Sequence, residues 1–145
     1  MTIMNVGRDK QIIITVDNRV GTLAEITSTV AASGINLLAV CAYAADNRGL
    51  IMFVCDNNEL AKKILKAKKY DIREEDVISI ALENRPGALQ AVTKRIADLG
   101  VDLNLLYGSV DKSGKVSRVV LISEDNDAVL AALKCHEALT TSKVK

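Results

Sequence analysis

The stretch DNRVGTLAEITSTVAASGINL, from Asp17 to Leu37, returns without gaps as ENRPGALQAVTKRIADLGVDL, from Glu83 to Leu103, with Gly21 and Gly87 66 residues apart. Asn18, Arg19, Gly21, Leu23, Thr27, Ala31, Gly34 and Leu37 recur as Asn84, Arg85, Gly87, Leu89, Thr93, Ala97, Gly100 and Leu103. An acid opens each copy, Asp17 and Glu83. Ile26, Val30, Ile35 and Asn36 meet the similar Val92, Ile96, Val101 and Asp102. A chain that repeats itself at this distance is built from two copies of one structural unit.

Each copy reads the same way outward from that stretch. Gln11 to Val16 is a β-branched apolar run that predicts a buried strand, and Asp17 to Gly21 is turn chemistry. The helix that follows has Leu23, Ile26, Thr27, Val30 and Ala31 on one stripe and Gly34 closing it. Ile35 to Ala45 predicts a second strand, Asp46 to Gly49 a hairpin turn, and Leu50 to Cys55 a third strand. Asn57 or Asn58 caps a helix to about Lys68, with Leu60, Ile64 and Leu65 inward, and a short strand near Tyr70 to Arg73 ends the unit. The second copy predicts a strand at Val77 to Leu82, a helix at Pro86 to Leu99, and strands at Val101 to Val110 and Val116 to Ser123 around a turn at Asp111 to Gly114. A helix from Asp125 or Asn126, with Val129, Leu130 and Leu133 inward, and a weak strand near Thr140 to Val144 complete it. The fold class is therefore α+β, two ferredoxin-like βαββαβ units with antiparallel sheets side by side. The expected domains are 1–75, with the first residues a flexible lead-in, and 76–145, joined by the short linker Glu74-Glu75-Asp76.

Composition narrows the function. Of 145 residues, 49% are hydrophobic, enough for an ordinary core, and 19 Lys and Arg against 18 Asp and Glu leave a formal charge of +1. That balance and an aromatic content of 3% argue against nucleic acid as a partner, since neither a basic field nor stacking rings are supplied. No run approaches the roughly 18 apolar residues of a membrane span, and no signal peptide is evident, so a cytoplasmic location is expected. Cys41, Cys55 and Cys135 are widely spaced with no CxxC pair, which predicts reduced, mostly buried thiols rather than disulfides or a metal site. His136 beside Cys135 points elsewhere on a helix and makes no catalytic pair. No cofactor is expected.

The element with functional content is strand, acid-Asn-Arg-x-Gly, helix. A glycine at a helix entrance lets a ligand approach the backbone, and the unpaired N–H groups of the first turn attract a carboxylate or phosphate. Asn18 and Asn84 tolerate left-handed backbone angles and offer both donor and acceptor, which suits a zwitterion. Asn36 and Asp102 open the next strands and are expected near the same end, where they would hold an ammonium group. Thr22 and Glu25 are spaced for a capping box, whereas the second copy relies on Pro86 for its start.

The acid-Asn-Arg-Val/Pro-Gly-x-Leu loops, the Gly-Ile/Val-Asn/Asp-Leu turns and the βαββαβ order together resemble the ACT domain family, over about residues 10–75 and 76–145. The resemblance is closest to proteins made of two ACT repeats alone. It implies a regulatory protein that binds a small molecule, usually a free amino acid, at the strand 1 to helix 1 loops between units. Carried over, it implies ligand contacts from Asn18, Val20, Gly21, Thr22 and Leu23 in one copy and Asn84, Pro86, Gly87, Ala88 and Leu89 in the other. Asn36, Leu37, Asp102 and Leu103 would face those loops.

Both strands of the central hairpin of the first unit are apolar at consecutive positions, Leu37 to Cys41 and Ile51 to Cys55, which predicts a second chain covering the free sheet face in a homodimer. With no catalytic constellation in the sequence, the expected output is to a partner enzyme or regulator; the alternative is a ligand-free dimerisation module. An acylphosphatase reading fails because its loop is longer and richer in glycine and its hairpin Asn is missing from Leu50 to Cys55. A copper chaperone would need two cysteines in the loop. Lys62, Lys63, Lys66, Lys68 and Lys69 read as a solvated helix face.

Overall fold

The computed structural model describes residues 3–110 and 114–144. In chain order the elements are β1 (Ile3–Asp17), α1 (Thr22–Ala32), β2 (Leu37–Ala45), β3 (Arg48–Cys55) and α2 (Asn58–Ala67). Then come β4 (Asp71–Glu83), α3 (Ala88–Asp98), β5 (Leu103–Val110), β6 (Val116–Ser123) and α4 (Asn126–Val144). This is the α+β class expected, with the ferredoxin-like pattern present twice, but the chain is shared between the units in an unexpected way. One compact unit is Lys10–Glu75; the other joins Met1–Asp9 to Asp76–Lys145. Strand order is β2-β3-β1-β4 in the first and β1-β4-β6-β5 in the second.

Two long strands explain the division. β1 has 15 residues and β4 has 13, each about twice an ordinary strand. Lys10 to Asp17 opens one unit and Ile3 to Asp9 closes the other, while β4 closes the first with its early residues and opens the second with its later ones. The flexible lead-in expected at the N-terminus is corrected accordingly. Ile3 and Val6 are 4% and 2% exposed and pack with Ile78, Ile80, Val119 and Leu121. The strand expected near Thr140 to Val144 is likewise corrected: α4 runs through to Val144, and Ile3 to Asp9 fills the position beside β4 that such a strand would take. Glu74-Glu75-Asp76, read as a linker, lies inside β4.

Period-2 alternation aims Ile12, Ile14, Ile51 and Phe53 at Ile26, Val30, Ala61 and Leu65 of the helices in the unit Lys10–Glu75. In the other unit Ile78, Ile80, Leu82, Val119 and Leu121 meet Val92, Ile96, Val129 and Leu133. The opposite face of β3 needs no second chain, because Met52 and Val54 are already buried within this one. The large apolar residues that this hairpin exposes are instead Leu38, Val40 and Tyr43 on β2. Of the cysteines only Cys55 is buried; Cys41 is intermediate and Cys135 exposed, fewer buried than expected. The side chain of His136 and most of the turn expected at Asp111 to Gly114 lie outside the described residues.

The corner after each hairpin is built by the same device. Asn57 Oδ1 accepts from the Leu60 N–H and caps α2, as expected. Asn58 Nδ2 donates to the Lys10 carbonyl at 3.1 Å and to Glu74 at 3.0 Å, tying β1 to β4. In the other unit Asp125 accepts from the Ala128 N–H, and Asn126 Nδ2 donates to the Asp76 carbonyl at 3.3 Å. The repeat therefore extends to Cys55-Asp56-Asn57-Asn58 and Ser123-Glu124-Asp125-Asn126, beyond the stretch that the opening alignment covers.

Candidate functional site

β1 ends at Asp17, paired in register with Arg48, and the next residue is held by the hairpin turn: the Asn18 N–H donates to the Asn47 carbonyl at 2.9 Å. In the second copy the Asn84 N–H donates to the Lys115 carbonyl at 2.8 Å, and its Nδ2 to the Gly114 carbonyl at 2.9 Å. The hairpin beside Asn18 turns on two residues alone, Asp46 and Asn47, both at positive φ, so Arg48 and Gly49 belong to β3 rather than to a four-residue turn. Asn18 and Asn84 do not use the left-handed angles they tolerate; the left-handed residues of the loops are Gly21, at φ 93°, and Gly87, at φ 86°. A side chain at either glycine would meet open space or Gln90 Oε1 at 4.0 Å, so conformation and not crowding selects glycine there.

Those glycines are the helix N-caps, which leaves Pro86 before the helix rather than in it and puts the first helical bonds at Glu25 N–H to Gly21 and Ala91 N–H to Gly87. The capping box does not form. The Thr22 hydroxyl donates to the Arg19 carbonyl, and the Glu25 carboxylate accepts instead from the Tyr70 hydroxyl. Burial, then the bond to Glu25, raises the Tyr70 pKa to about 12.

Each loop borders a pocket whose walls come from a single unit. The first, about 200 Å³, is lined by Asn18, Thr22 and Leu23 with Ala42, Tyr43 and Gly49 of the hairpin strands. The second, about 300 Å³, is lined by Asn84, Ala88 and Leu89 with Gly108, Ser109 and Ser117, which are the aligned positions. Asp17 and Arg19 border one, Glu83 and Arg85 the other. Arg85 Nε is paired with Glu83 at 3.0 Å. Gly108 keeps the second pocket's floor flat, because a Cβ there would lie 2.8 Å from the Arg118 carbonyl.

Of the expected ligand contacts, then, Asn18, Thr22, Leu23, Asn84, Ala88 and Leu89 line the pockets. Val20, Gly21, Pro86 and Gly87 shape the loops without lining them, and Val20 stands fully exposed. Asn36, Leu37, Asp102 and Leu103 are not near the loop of their own unit. The 11 residues of α1 carry the chain about 16 Å away before β2 begins. Leu37 pairs with Cys55 and Leu103 with Ser123, at the end of each hairpin far from its turn. The N–H groups of Asn36 and Asp102 there donate to Asp56 and Glu124. Gly49, Gly108, Ser109 and Ser117 of the hairpins were the ones missed, although small residues such as Ala42 were a signal for space above the sheet.

Among the described residues no group of three or more metal-ligating side chains gathers, and no helix is long and apolar enough to cross a membrane.

Two βαββαβ units carrying one helix-entrance pocket each define a tandem ferredoxin-like protein. The chain belongs to the ACT domain pair family, whose model matches residues 4–134, the N-terminal strand included. It is similar to a protein of Bacteroides thetaiotaomicron at 28% identity and TM-score 0.84, covering 91% of this chain and 90% of that one. Similarity in fold alone extends to aspartate kinase from Synechocystis, at 19% identity and TM-score 0.63, covering 94% of this chain and 27% of that one. It extends also to the ligand-free regulatory subunit of aspartate kinase from Thermus thermophilus, at 14% identity and TM-score 0.62, covering 92% and 95%. No curated protein sequence matches the chain.

Proposed function

We propose that the protein is a cytoplasmic regulatory protein that binds a free amino acid in its two loop pockets and passes that binding to a partner protein. One observation carries this reading: the same pocket is built twice, from aligned residues, at a helix entrance hydrogen-bonded to a hairpin. A volume at or below the lower end of the usual ligand range, roughly 300–1,000 Å³, suits a single small metabolite. First-turn N–H groups favour a carboxylate, the Asp17 or Glu83 side of the loop favours an ammonium group, and the alanine and glycine floor takes a side chain. The floors differ, Ala42 and Tyr43 against Gly108 and Ser109, so the two pockets bind with unequal affinity. Ligand that stabilises one loop placement shifts whichever conformer the partner recognises.

A homodimer fits the same reading. β2 is an edge strand of nine residues with no charge and no proline, and natural edges left so unprotected are usually covered by another strand. That exposed edge also favours the second reading, a dimerisation module whose pockets stay empty. Calorimetric titration with amino acids separates the two. A sensor binds, and loses one site per chain in Leu23→Arg and the other in Leu89→Arg; a module shows no heat in either form.

A further inference from the structure

The unit Lys10–Glu75 holds a second concavity, about 450 Å³, on the other side of the Asp17 to Gly21 loop. Four cations from three separate places in the chain line it: Arg19 from the loop, Arg48 from the start of β3, and Lys68 and Lys69 from the end of α2. Among the described residues none of the four guanidinium or ammonium groups has an ion pair or side-chain hydrogen bond. Glu25, which also lines the concavity, is engaged by the Tyr70 hydroxyl, leaving Asp17 and Asp71 as the other acids at its rim.

The fold does not demand this arrangement, because the other unit dispenses with it. The position aligned with Arg48 is Val116, each being the register partner of the acid that opens its loop, Asp17 or Glu83. The position aligned with Arg19 is Arg85, which is already paired. Lysines at a helix C-terminus complement the helix dipole, but that accounts for Lys68 and Lys69 alone and not for two arginines from other elements converging on them. Lys69 also stands in the left-handed region at φ 66°, closing α2 by the turn that Gly34 and Gly100 make for α1 and α3. A lysine there accepts a backbone penalty that glycine would avoid.

We propose that this concavity is a separate site for a multiply charged phosphate compound, with the phosphoryl oxygens among Arg19, Arg48, Lys68 and Lys69. Asp17 and Asp71 at the rim would meet hydroxyl or amino donors on the remainder of the ligand. The site shares Val16, Asp17, Arg19 and Thr22 with the amino-acid pocket across the loop, so the two ligands are coupled through one short segment. It does not rest on the amino-acid reading and stands or falls separately from it.

The test is calorimetric titration of the full chain with inorganic pyrophosphate, without magnesium and at low salt. Saturable binding at one site per chain is expected, weakened about fivefold or more by Arg48→Gln and by Lys69→Gly, neither of which touches the amino-acid pocket. Lys69→Gly suits the left-handed backbone, so loss of binding there is not loss of fold, and a melting temperature at or above the parent's verifies it. Lys63→Gln, exposed on α2 outside the concavity, is expected to bind as the parent does. Absence of saturable binding, equal weakening by Lys63→Gln, or citrate binding as tightly as pyrophosphate overturns the proposal.

Discussion

Removal of residues 1–9 is predicted to destabilise residues nearly seventy positions away. Ile3 and Val6 are almost fully buried in the core of the unit that begins again at Asp76. Burial of two such side chains contributes roughly 1.5–3 kcal/mol each, so about 3–6 kcal/mol is lost with them as an upper bound. The backbone ladder to β4 goes too, whereas the exposed pair between Arg8 and Asp127 adds little, about 0–1 kcal/mol. Against a domain stability of about 5–15 kcal/mol this is a large fraction. Hydrogen exchange read by mass spectrometry gives the location: amides of Val77 to Leu82 and Val119 to Leu121 should lose protection, and the melting midpoint should fall by roughly 10 °C or more. Val6→Ala should reproduce the effect at about 2 kcal/mol without shortening the chain. Unchanged exchange in β4 and β6 after the truncation would refute the assignment of Ile3 to Asp9 to that unit.

Asn58→Ala should cost about 1–3 kcal/mol in chemical denaturation, since the half-buried corner loses bonds to both Lys10 and Glu74, the second to a carboxylate. The bond from Asn58, with help from Lys62, holds the Glu74 carboxyl below its ordinary pKa, so it stabilises the fold above the unfolded value near 4.5 and that share fades as pH falls below it. Glu74→Gln should therefore flatten the acid limb of the stability profile, measured by denaturation between pH 3 and pH 6, values chosen to bracket roughly the ordinary carboxylate range. Tyr70 has the opposite sign: its pKa raised to about 12 favours the neutral phenol, a contribution complete below the unfolded value near 10 and lost as pH climbs through 12. Ultraviolet titration should show one tyrosine ionising late, and Glu25→Gln should bring it earlier. Gly108→Val should destabilise by about 1–3 kcal/mol through its clash with the Arg118 carbonyl, whereas Ala42→Val at the aligned position should cost less in thermal unfolding.

Most of the fold was legible because its signals are local. Gln11 to Val16 and Val77 to Leu82 declare themselves as strands, Asn57 caps α2, and Gly34 and Gly100 end α1 and α3. The partner of β4 was not legible, since a strand's neighbour is a long-range choice and MNVGRD carries only two strong apolar markers with Ile3. That choice then misled the reading of the C-terminus, where a closing strand was expected by analogy with the first copy. The loop glycines marked where the two pockets lie, yet most of their walls were hidden, because which hairpin residues face a helix entrance depends on register. Asn36 and Asp102 lie away from the loop of their own unit for a related reason: adjacency in sequence to Gly34 and Gly100 says nothing of the full length of helix separating them from Gly21 and Gly87.

The most direct test of the central claim is a thermal-unfolding screen of refolded, ligand-stripped protein against each common amino acid at millimolar concentration. Binding at about 100 times Kd adds roughly 2.7 kcal/mol, a rise of several degrees. A rise with one amino acid or a few related ones, abolished when Leu23→Arg and Leu89→Arg are combined, is the predicted result. No rise with any of them, or a rise that survives both substitutions, would contradict the assignment of the loop pockets as amino-acid sites.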